Sequence, residues 1–318
     1  MFLFTRVGRI TMSSLIEKRI EGMKESKILF KGSPYAENTV NSWRNFSKVW
    51  NGFCREMNCD YRIRNWTDYD YNLFLQYCDC TDFSLTTKKL YSSMLKTVLK
   101  ENGSRCVCTI GDFKPENHIY LSEVEIDAIL KLDLSGNDYL SKIRDIFMVG
   151  YYTGQRFSDY KALSLNDVVT LEYSGRRFSA VRIRQTKTKT RITIPILDEK
   201  VLEILEKWGG RLPKVSHSGF NEGIKKICKS AGLTYNVVVS RSKGGKVVTE
   251  TLPKWKMISS HTARRSCVTN LYLDGNLSEM QIRSISGHLS SESFRRYICC
   301  SEEENICNIL KKLESVSD

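Results

Sequence analysis

The hydrophobic pattern of this chain changes period partway along, and that change limits what it can fold into. In the first third, Val40, Trp43, Phe46, Val49, Trp50, Phe53 and Met57 recur at spacings of three and four. This spacing puts them on one stripe of a long helix, with Arg44, Lys48 and Arg55 interleaved. Leu73, Phe74 and Tyr77 mark another helix. Leu90, Met94, Leu95, Val98 and Leu99 mark a further one, ending at the C-cap signal Asn102-Gly103. The first third therefore reads as a bundle of four or five helices. Later the period shortens to that of strands. Residues 168–171, 180–184 and 191–195 are short and β-rich, Gly175 turns between the first two, and residues 185–190 join the last two. The expected fold class is mainly α with a small β-sheet.

Residues 103–118 have no helical period and are interrupted by Gly103, Gly111 and Pro115, so a domain boundary is placed there. Ser122 with Glu125 three residues on forms a capping box that opens the next helix. A second helix covers roughly 137–151 and ends at Tyr152-Thr153-Gly154. Helices resume near 198–207 and 217–231. Val237–Val239 and Lys246–Val248 flank Ser242–Gly245, a hairpin inserted between helices. From His261 onward the pattern is helical. The expected organisation is an N-terminal extension at 1–11 ahead of a start at Met12, a helical domain at 12–110, a linker at 111–118, and a second domain at 119–318 with a C-terminal helix at 302–315.

Forty-nine basic residues oppose 36 acidic ones, a formal net charge of +13. The excess is +6 in residues 1–115 and +7 in the remainder. A distributed excess suits a protein that surrounds a polyanion better than one with a single basic arm. No apolar run approaches the ~18–20 residues of a membrane-spanning helix. The apolar opening Met1–Phe4 stops at Arg6 with no small-residue cleavage site after it, which argues against a signal peptide. Eleven cysteines, an odd number within apolar helical patterns, fit a reducing compartment and buried packing. Cys78-x-Cys80, Cys106-x-Cys108 and Cys299-Cys300 lack zinc-site spacing, so no metal is expected.

Four segments carry chemistry: TGQRFSD at 153–159, QTKT at 185–188, HTARR at 261–265, and Gly287-His288 with Tyr297 nine residues later. Singly, each also reads as a helix end, a solvated basic turn, a helix start or a half-buried tyrosine. Together, in this order, they resemble the tyrosine recombinase (phage integrase) family. The resemblance runs through the whole second domain, including ITIPI at 192–196 and SGHLSSESFRRYI at 286–298, and the helical first domain fits the family's core-DNA-binding, SAM-like domain. Gln155 stands where the family most often carries leucine, a position expected to have no chemical role.

The resemblance implies a site-specific recombinase that cleaves and rejoins DNA through a 3′-phosphotyrosine, without metal, ATP or another cofactor. The energy of the phosphodiester is held in the covalent intermediate. Without a metal, side chains must neutralise the phosphoryl charge, and arginine's planar, permanently charged fork suits that task. Arg156 and Arg264 are therefore the expected phosphate clamps, with Arg265 the rival for the second role. His261 and Arg264, three apart, share a helix face, whereas Arg265 points about 100° away toward a structural or DNA-backbone role. Lys187 is the expected general acid for the leaving 5′-oxygen, and Lys189 its alternative. His261 is the expected base or hydrogen-bond donor near the nucleophile. His288 is expected to donate to a phosphoryl oxygen or assist proton transfer. Asp159 matches the family's acidic residue that braces the active-site arginine and histidine. Tyr297 is the nucleophile, since no other tyrosine follows Gly287-His288 and Tyr272 lies upstream.

Arg44, Lys48, Arg55, Lys189 and Arg265 are expected DNA contacts. The implied partner is double-stranded DNA with short inverted-repeat sites, bound by a homo-tetramer on two duplexes from a chain that is a monomer when free. After Tyr297, Ser301 with Glu304 caps a helix whose apolar stripe (Ile306, Ile309, Leu310, Leu313) docks either on its own domain or on a neighbouring protomer. The expected location is the bacterial cytoplasm, at the nucleoid. A type IB topoisomerase and a catalytically silent DNA-binding regulator are the alternative functions.

Overall fold

The computed structural model describes residues 10–62, 66–104, 110 and 119–315. The expected linker at 111–118, residues 1–9 of the expected extension, and Cys106-x-Cys108 lie outside the described residues. The chain divides into two compact units. One holds residues 1–115 and 240–249, and the other holds 116–239 and 250–318.

In the first unit, α1 (Met12–Lys24), α2 (Glu37–Glu56), α3 (Asp68–Cys80) and α4 (Leu85–Glu101) surround an aromatic core, with a short hairpin, β1 (Leu29–Phe30) and β2 (Ser33–Pro34), between the first two helices. Helix α2 forms where the three-and-four spacing predicts. Its Val40, Trp43, Phe46, Trp50 and Phe53 are buried. Phe46, Trp50 and Phe53 pack on Phe74 of α3 with ring centroids 5.4–6.2 Å apart. Caps set the helix starts: Thr67 and Asp70 form a reciprocal capping box at α3, and Ser84 accepts from Thr87 N–H at α4. Arg44, Lys48 and Arg55 fall within about 40° of one another around α2, along one side of its buried stripe. Lys48 and Arg55 are exposed, and Arg44 is half-buried and bonded to Asn41.

The second unit packs α5 (Glu123–Lys131), α6 (Asp138–Thr153), α7 (Phe157–Tyr160), α8 (Lys200–Lys207), α9 (His217–Ser230), α10 (Ser260–Asp274), α11 (Glu279–Ser286), α12 (Ser291–Arg295) and α13 (Glu302–Ser315) with an antiparallel sheet in the order β3 (Val168–Tyr173), β4 (Arg176–Arg184), β5 (Arg191–Pro195). In register, Val168 faces Val181 and Val181 faces Ile194. Val181 and Ile194 are buried in the same core as Ile143, Phe147, Phe220 and Ile258. The face of the sheet that carries Val181 and Ile194 is thus buried in this core, and Ala180, on the opposite face of β4, is buried as well.

The hairpin β6 (Asn236–Lys243) and β7 (Lys246–Pro253) turns at Gly244-Gly245, both with positive φ, as a two-residue turn of this hand demands. Sequence patterning puts the whole hairpin in the second domain, but its tip groups with the first unit. Hydrogen bonding explains the difference. Gly244 N–H donates to Phe83 O (3.2 Å), Leu85 N–H donates to Ser242 Oγ (2.8 Å), and Lys243 pairs with Asp82 (3.0 Å). No helix among the described residues is long and apolar enough to cross a membrane.

Candidate active site

The chemistry-bearing residues of the second unit sit at helix ends, where local sequence fixes the chain direction. Helix α6 stops at Gly154, which takes the left-handed conformation (φ +62°) and turns the chain so that Arg156 N-caps α7. Ser259 and Thr262 form a capping box that starts α10 and puts His261 in its first turn and Arg264 at the start of its second. Helix α11 ends at Gly287 (φ +72°), delivering His288, whose N–H bonds to Arg283 O (3.1 Å). Tyr297 follows α12 in a turn closed by its N–H on Phe294 O (2.7 Å), and Thr269 Oγ1 donates to its carbonyl (3.1 Å).

These ends converge on Arg264, whose residue is 0% exposed. Its Nη1 donates to Gly154 O (2.9 Å) and Ser286 O (2.6 Å), and its Nη2 donates to His288 Nε2 (2.7 Å). The guanidinium lies 5.0 Å from the centre of the Tyr297 ring, a cation–π contact, and the His288 ring lies 4.6 Å from the same ring. Burial and the nearby Arg156 charge pull Arg264 down to about 10, so it stays cationic at neutral pH. Its buried Nε–H has no hydrogen-bond partner among the described residues. Arg156 is half-buried, and its Nη1 donates to Gln185 Oε1 (3.3 Å).

His288 behaves differently from expectation. Arginine can only donate, so His288 Nε2 is an acceptor, and its Nδ1–H donates to Ser286 Oγ (2.8 Å). Burial and the charges of Arg264, Arg156 and Arg283 push the ring down to about 3, so it remains neutral. In this arrangement His288 holds Arg264 from one ring nitrogen and Ser286 from the other. His261 is exposed at the start of α10, and its pKa is lowered by desolvation and then by Arg265 and Arg264. The preceding Ser260 is bonded to His217 (3.0 Å), a residue that no motif in the sequence singles out.

Asp159 also departs from expectation. It is buried, and its Oδ1 accepts from Thr186 N–H (2.8 Å) and Ser158 Oγ (3.3 Å). It therefore braces the turn that carries Lys187 rather than an arginine or a histidine, because the end of α7 runs beside that turn. Lys187 is exposed within the turn at 186–188. Lys189 is exposed with φ +59°, and its N–H closes the turn on Gln185 O (2.9 Å). Arg265 is half-buried on α10. The structure thus brings Arg156, Arg264, His288 and Tyr297 into one cluster, with His261 within electrostatic reach and Lys187 linked through its turn. Gln155, expected to be chemically silent, is wholly buried and hydrogen-bonded, as is Gln185.

Among curated proteins none matches this chain. Several solved structures share its fold at low sequence identity. An integrase of the Tn1549 transposon, in complex with transposon right end DNA, aligns over 97% of this chain and 100% of its own at 14% identity and TM-score 0.63. Lambda integrase, as a tetramer bound to a Holliday junction, aligns over 93% and 80% at 17% identity and TM-score 0.61. The site-specific recombinase XerH, bound to its difH substrate, aligns over 96% and 85% at 15% identity and TM-score 0.59. The phage integrase family profile matches residues 120–304, more than half of the chain and every residue of the arginine cluster. The chain therefore belongs to the phage integrase family, the tyrosine recombinases.

Proposed function

We propose that the arginine cluster binds one scissile phosphate of duplex DNA and that Tyr297 attacks it, in a site-specific recombinase that cuts and rejoins strands. The observation that carries this reading is the position of Arg264. It is locked under the Tyr297 ring by three acceptors, all of them uncharged, so its positive charge is left for a phosphate. Its buried Nε–H takes no hydrogen-bond partner among the described residues, and the adjacent Nη2 carries a second N–H beside the one given to His288. Two donors on adjacent nitrogens are what a bidentate phosphate contact uses.

The steps follow from charge and proton balance. Arg264 and Arg156 neutralise charge growing on the non-bridging oxygens. Tyr297 Oη attacks phosphorus and forms the phosphotyrosine bond, its proton accepted at His261. The bond to the 5′-oxygen breaks, and Lys187 Nζ gives that oxygen a proton. A 5′-hydroxyl from a partner strand reverses these transfers and reseals the chain. Lys189 remains the alternative acid, and Arg265 and the α2 face of Arg44, Lys48 and Arg55 serve DNA-backbone binding. The helical first unit takes the role of core-DNA-binding domain.

The tetramer that lambda integrase forms on a Holliday junction supports a tetramer here too. Helix α13 has a matching feature. Asn305 and Asn308 tie it to Tyr272 of α10, while Ile306, Ile309, Leu310 and Leu313 are exposed, an apolar stripe that can seat on a neighbouring protomer. Action at the bacterial nucleoid accords with this function.

The test is a suicide duplex that traps the covalent adduct. Wild-type protein should form it and Tyr297→Phe should not, with DNA binding intact in both. Adducts in Tyr297→Phe would remove Tyr297 as nucleophile. Relaxation of any supercoiled plasmid without exchange between defined sites would favour a topoisomerase instead.

A further inference from the structure

Two buried amides join the arginine cluster to the turn that carries Lys187. Gln155 and Gln185 are each 0% exposed. The two faces of a primary amide are told apart by their partners. Gln155 lies against the carbonyls of Thr153 (3.0 Å) and Ile285 (2.8 Å), which only accept, so its Nε2 faces them and its Oε1 faces Gln185. Gln185 Nε2 must then be the donor to Gln155 Oε1 (2.8 Å), and it also reaches Ser286 O (3.3 Å). That fixes Gln185 Oε1 on the other side, where Thr188 Oγ1 (2.8 Å) and Arg156 Nη1 (3.3 Å) both donate to it.

The same Ser286 carbonyl accepts from Arg264. Three backbone carbonyls, those of Thr153, Ile285 and Ser286, thus fix the two amides, and through them Arg156 and the turn, while the Ser286 carbonyl also holds Arg264 directly. Gly287 makes room for the arrangement, since a Cβ there would stand 2.3 Å from Gln185 Nε2. On the turn, Lys187 is flanked by two tethers: Thr186 N–H on Asp159 and Thr188 Oγ1 on Gln185.

We propose that Gln185, oriented by Gln155, is a positioning residue for strand cleavage: through Thr188 it sets the turn that aims Lys187, and through Oε1 it steadies Arg156. This rests on the reading of Lys187 as the acid that protonates the leaving 5′-oxygen. A misplaced turn would slow cleavage because the 5′-alkoxide would have to leave without a proton. A sulfur in that bridging position removes the need, because a thiol with a pKa of about 8.5 leaves readily as thiolate.

The experiment compares single-turnover cleavage of two suicide duplexes, one with the natural 5′-oxygen and one with bridging 5′-sulfur. The proteins are wild type, Gln185→Met, Thr188→Val and Lys187→Ala, each with a thermal melt. General acids contribute about 10²–10⁴-fold. Gln185→Met and Thr188→Val should therefore slow the oxygen substrate by roughly 10–100-fold, a partial loss of that contribution. The sulfur substrate should recover at least about tenfold of it, as it should for Lys187→Ala. Should Gln185→Met lack a folded melting transition, Thr188→Val, altered only on the turn, decides alone. If Lys187→Ala is recovered by sulfur while the other two are not slowed, or are slowed equally on both substrates, the positioning role is wrong and the acid role stands. If Lys187→Ala itself gains nothing from sulfur, the acid assignment falls, and this inference with it.

Discussion

Replacing Arg264 with lysine keeps the charge and removes the geometry. The guanidinium reaches Gly154 O, Ser286 O and His288 Nε2 at once because its nitrogens are spread across a plane. One ammonium on a flexible stem cannot span the three acceptors, so one or two of these bonds disappear in a fully buried setting. Hydrogen bonds to charged groups are worth about 1.5–3 kcal/mol each. A net loss of about 2–4 kcal/mol should lower the melting temperature by roughly 4–16 °C, for a unit of about 200 residues at ~2–4 °C per kcal/mol. The cost to chemistry is larger. Losing a bidentate clamp on a developing phosphoryl charge should reduce adduct formation by about 10²–10³-fold, the range seen when one such donor is removed. Affinity for duplex DNA should fall by less than about tenfold, since Arg264 meets one phosphate among the many that a duplex-binding protein neutralises. The assay is single-turnover cleavage of a suicide duplex at 25 °C, below either melting point, beside a binding titration in the same buffer. An Arg264→Lys protein that melts with wild type and forms adducts within about threefold of its rate would refute the clamp. So would a drop in binding as large as the drop in cleavage.

Other consequences can be checked with similar means. The folded-state value of about 3 for His288 lies below its unfolded value of about 6.5, so its contribution to stability is complete above pH 6.5 and is lost as pH falls toward 3. Within that window the slope is up to about 1.4 kcal/mol per pH unit. Thermal melts from pH 7 to 4 should therefore show a shallower decline in His288→Gln than in wild type, and equal slopes would contradict the buried neutral ring. Gly287→Ala should destabilise the second unit by at least ~1–3 kcal/mol, because a left-handed residue must accept a Cβ that meets Gln185; an unchanged denaturation midpoint would show that the amide can move aside. Alanine at Arg44, Lys48 or Arg55 should weaken DNA binding and flatten its dependence on log salt by about 0.9 for each phosphate no longer neutralised; unaltered salt slopes would take this face off the DNA. A chain ending before Glu304 should still form adducts but fail to assemble paired sites; recombination at the wild-type rate would mean that α13 serves only its own domain.

What is legible in the sequence, and what is not, follows from the range of the interactions. Helix α2 is legible because its spacing is local and its core residues are large. The end of α6 is legible because Gly154 sits where a helix must stop in the left-handed conformation, whereas the stop of α11 at Gly287 is not, since the pattern after His261 reads as helix throughout. The arginine cluster is legible because its residue types recur in fixed order in a known family. The roles of Gln155, Gln185, Asp159 and His288 are not, because each is decided by partners distant in sequence. Gln155 finds Ile285 across 130 residues, and Asp159 finds Thr186 across 27. The departure at Gln155 is the available signal: a polar residue at a position usually filled by leucine, beside an active-site arginine, needs partners if it is buried. The tip of the β6–β7 hairpin eludes the sequence for the same reason, since hairpin patterning says nothing about which strands or helices its turn will meet.

The acceptors chosen for Arg264 connect its burial to its chemistry. Taking a guanidinium out of water costs several kcal/mol after relaxation, and Arg156 nearby adds repulsion. A carboxylate partner would offset that most directly, but it would also cancel the charge that a phosphate must feel. This site uses dipoles instead: two carbonyls and a neutral imidazole hold the guanidinium, and Gln185, an amide, meets Arg156. Asp159, the carboxylate of the TGQRFSD segment, is committed to a backbone N–H of the Lys187 turn. The stability forgone by leaving both arginines without a carboxylate among the described residues is therefore expected to reappear when a phosphate binds, as a rise in melting temperature on a duplex carrying the recombination site that is larger for wild type than for Arg264→Lys.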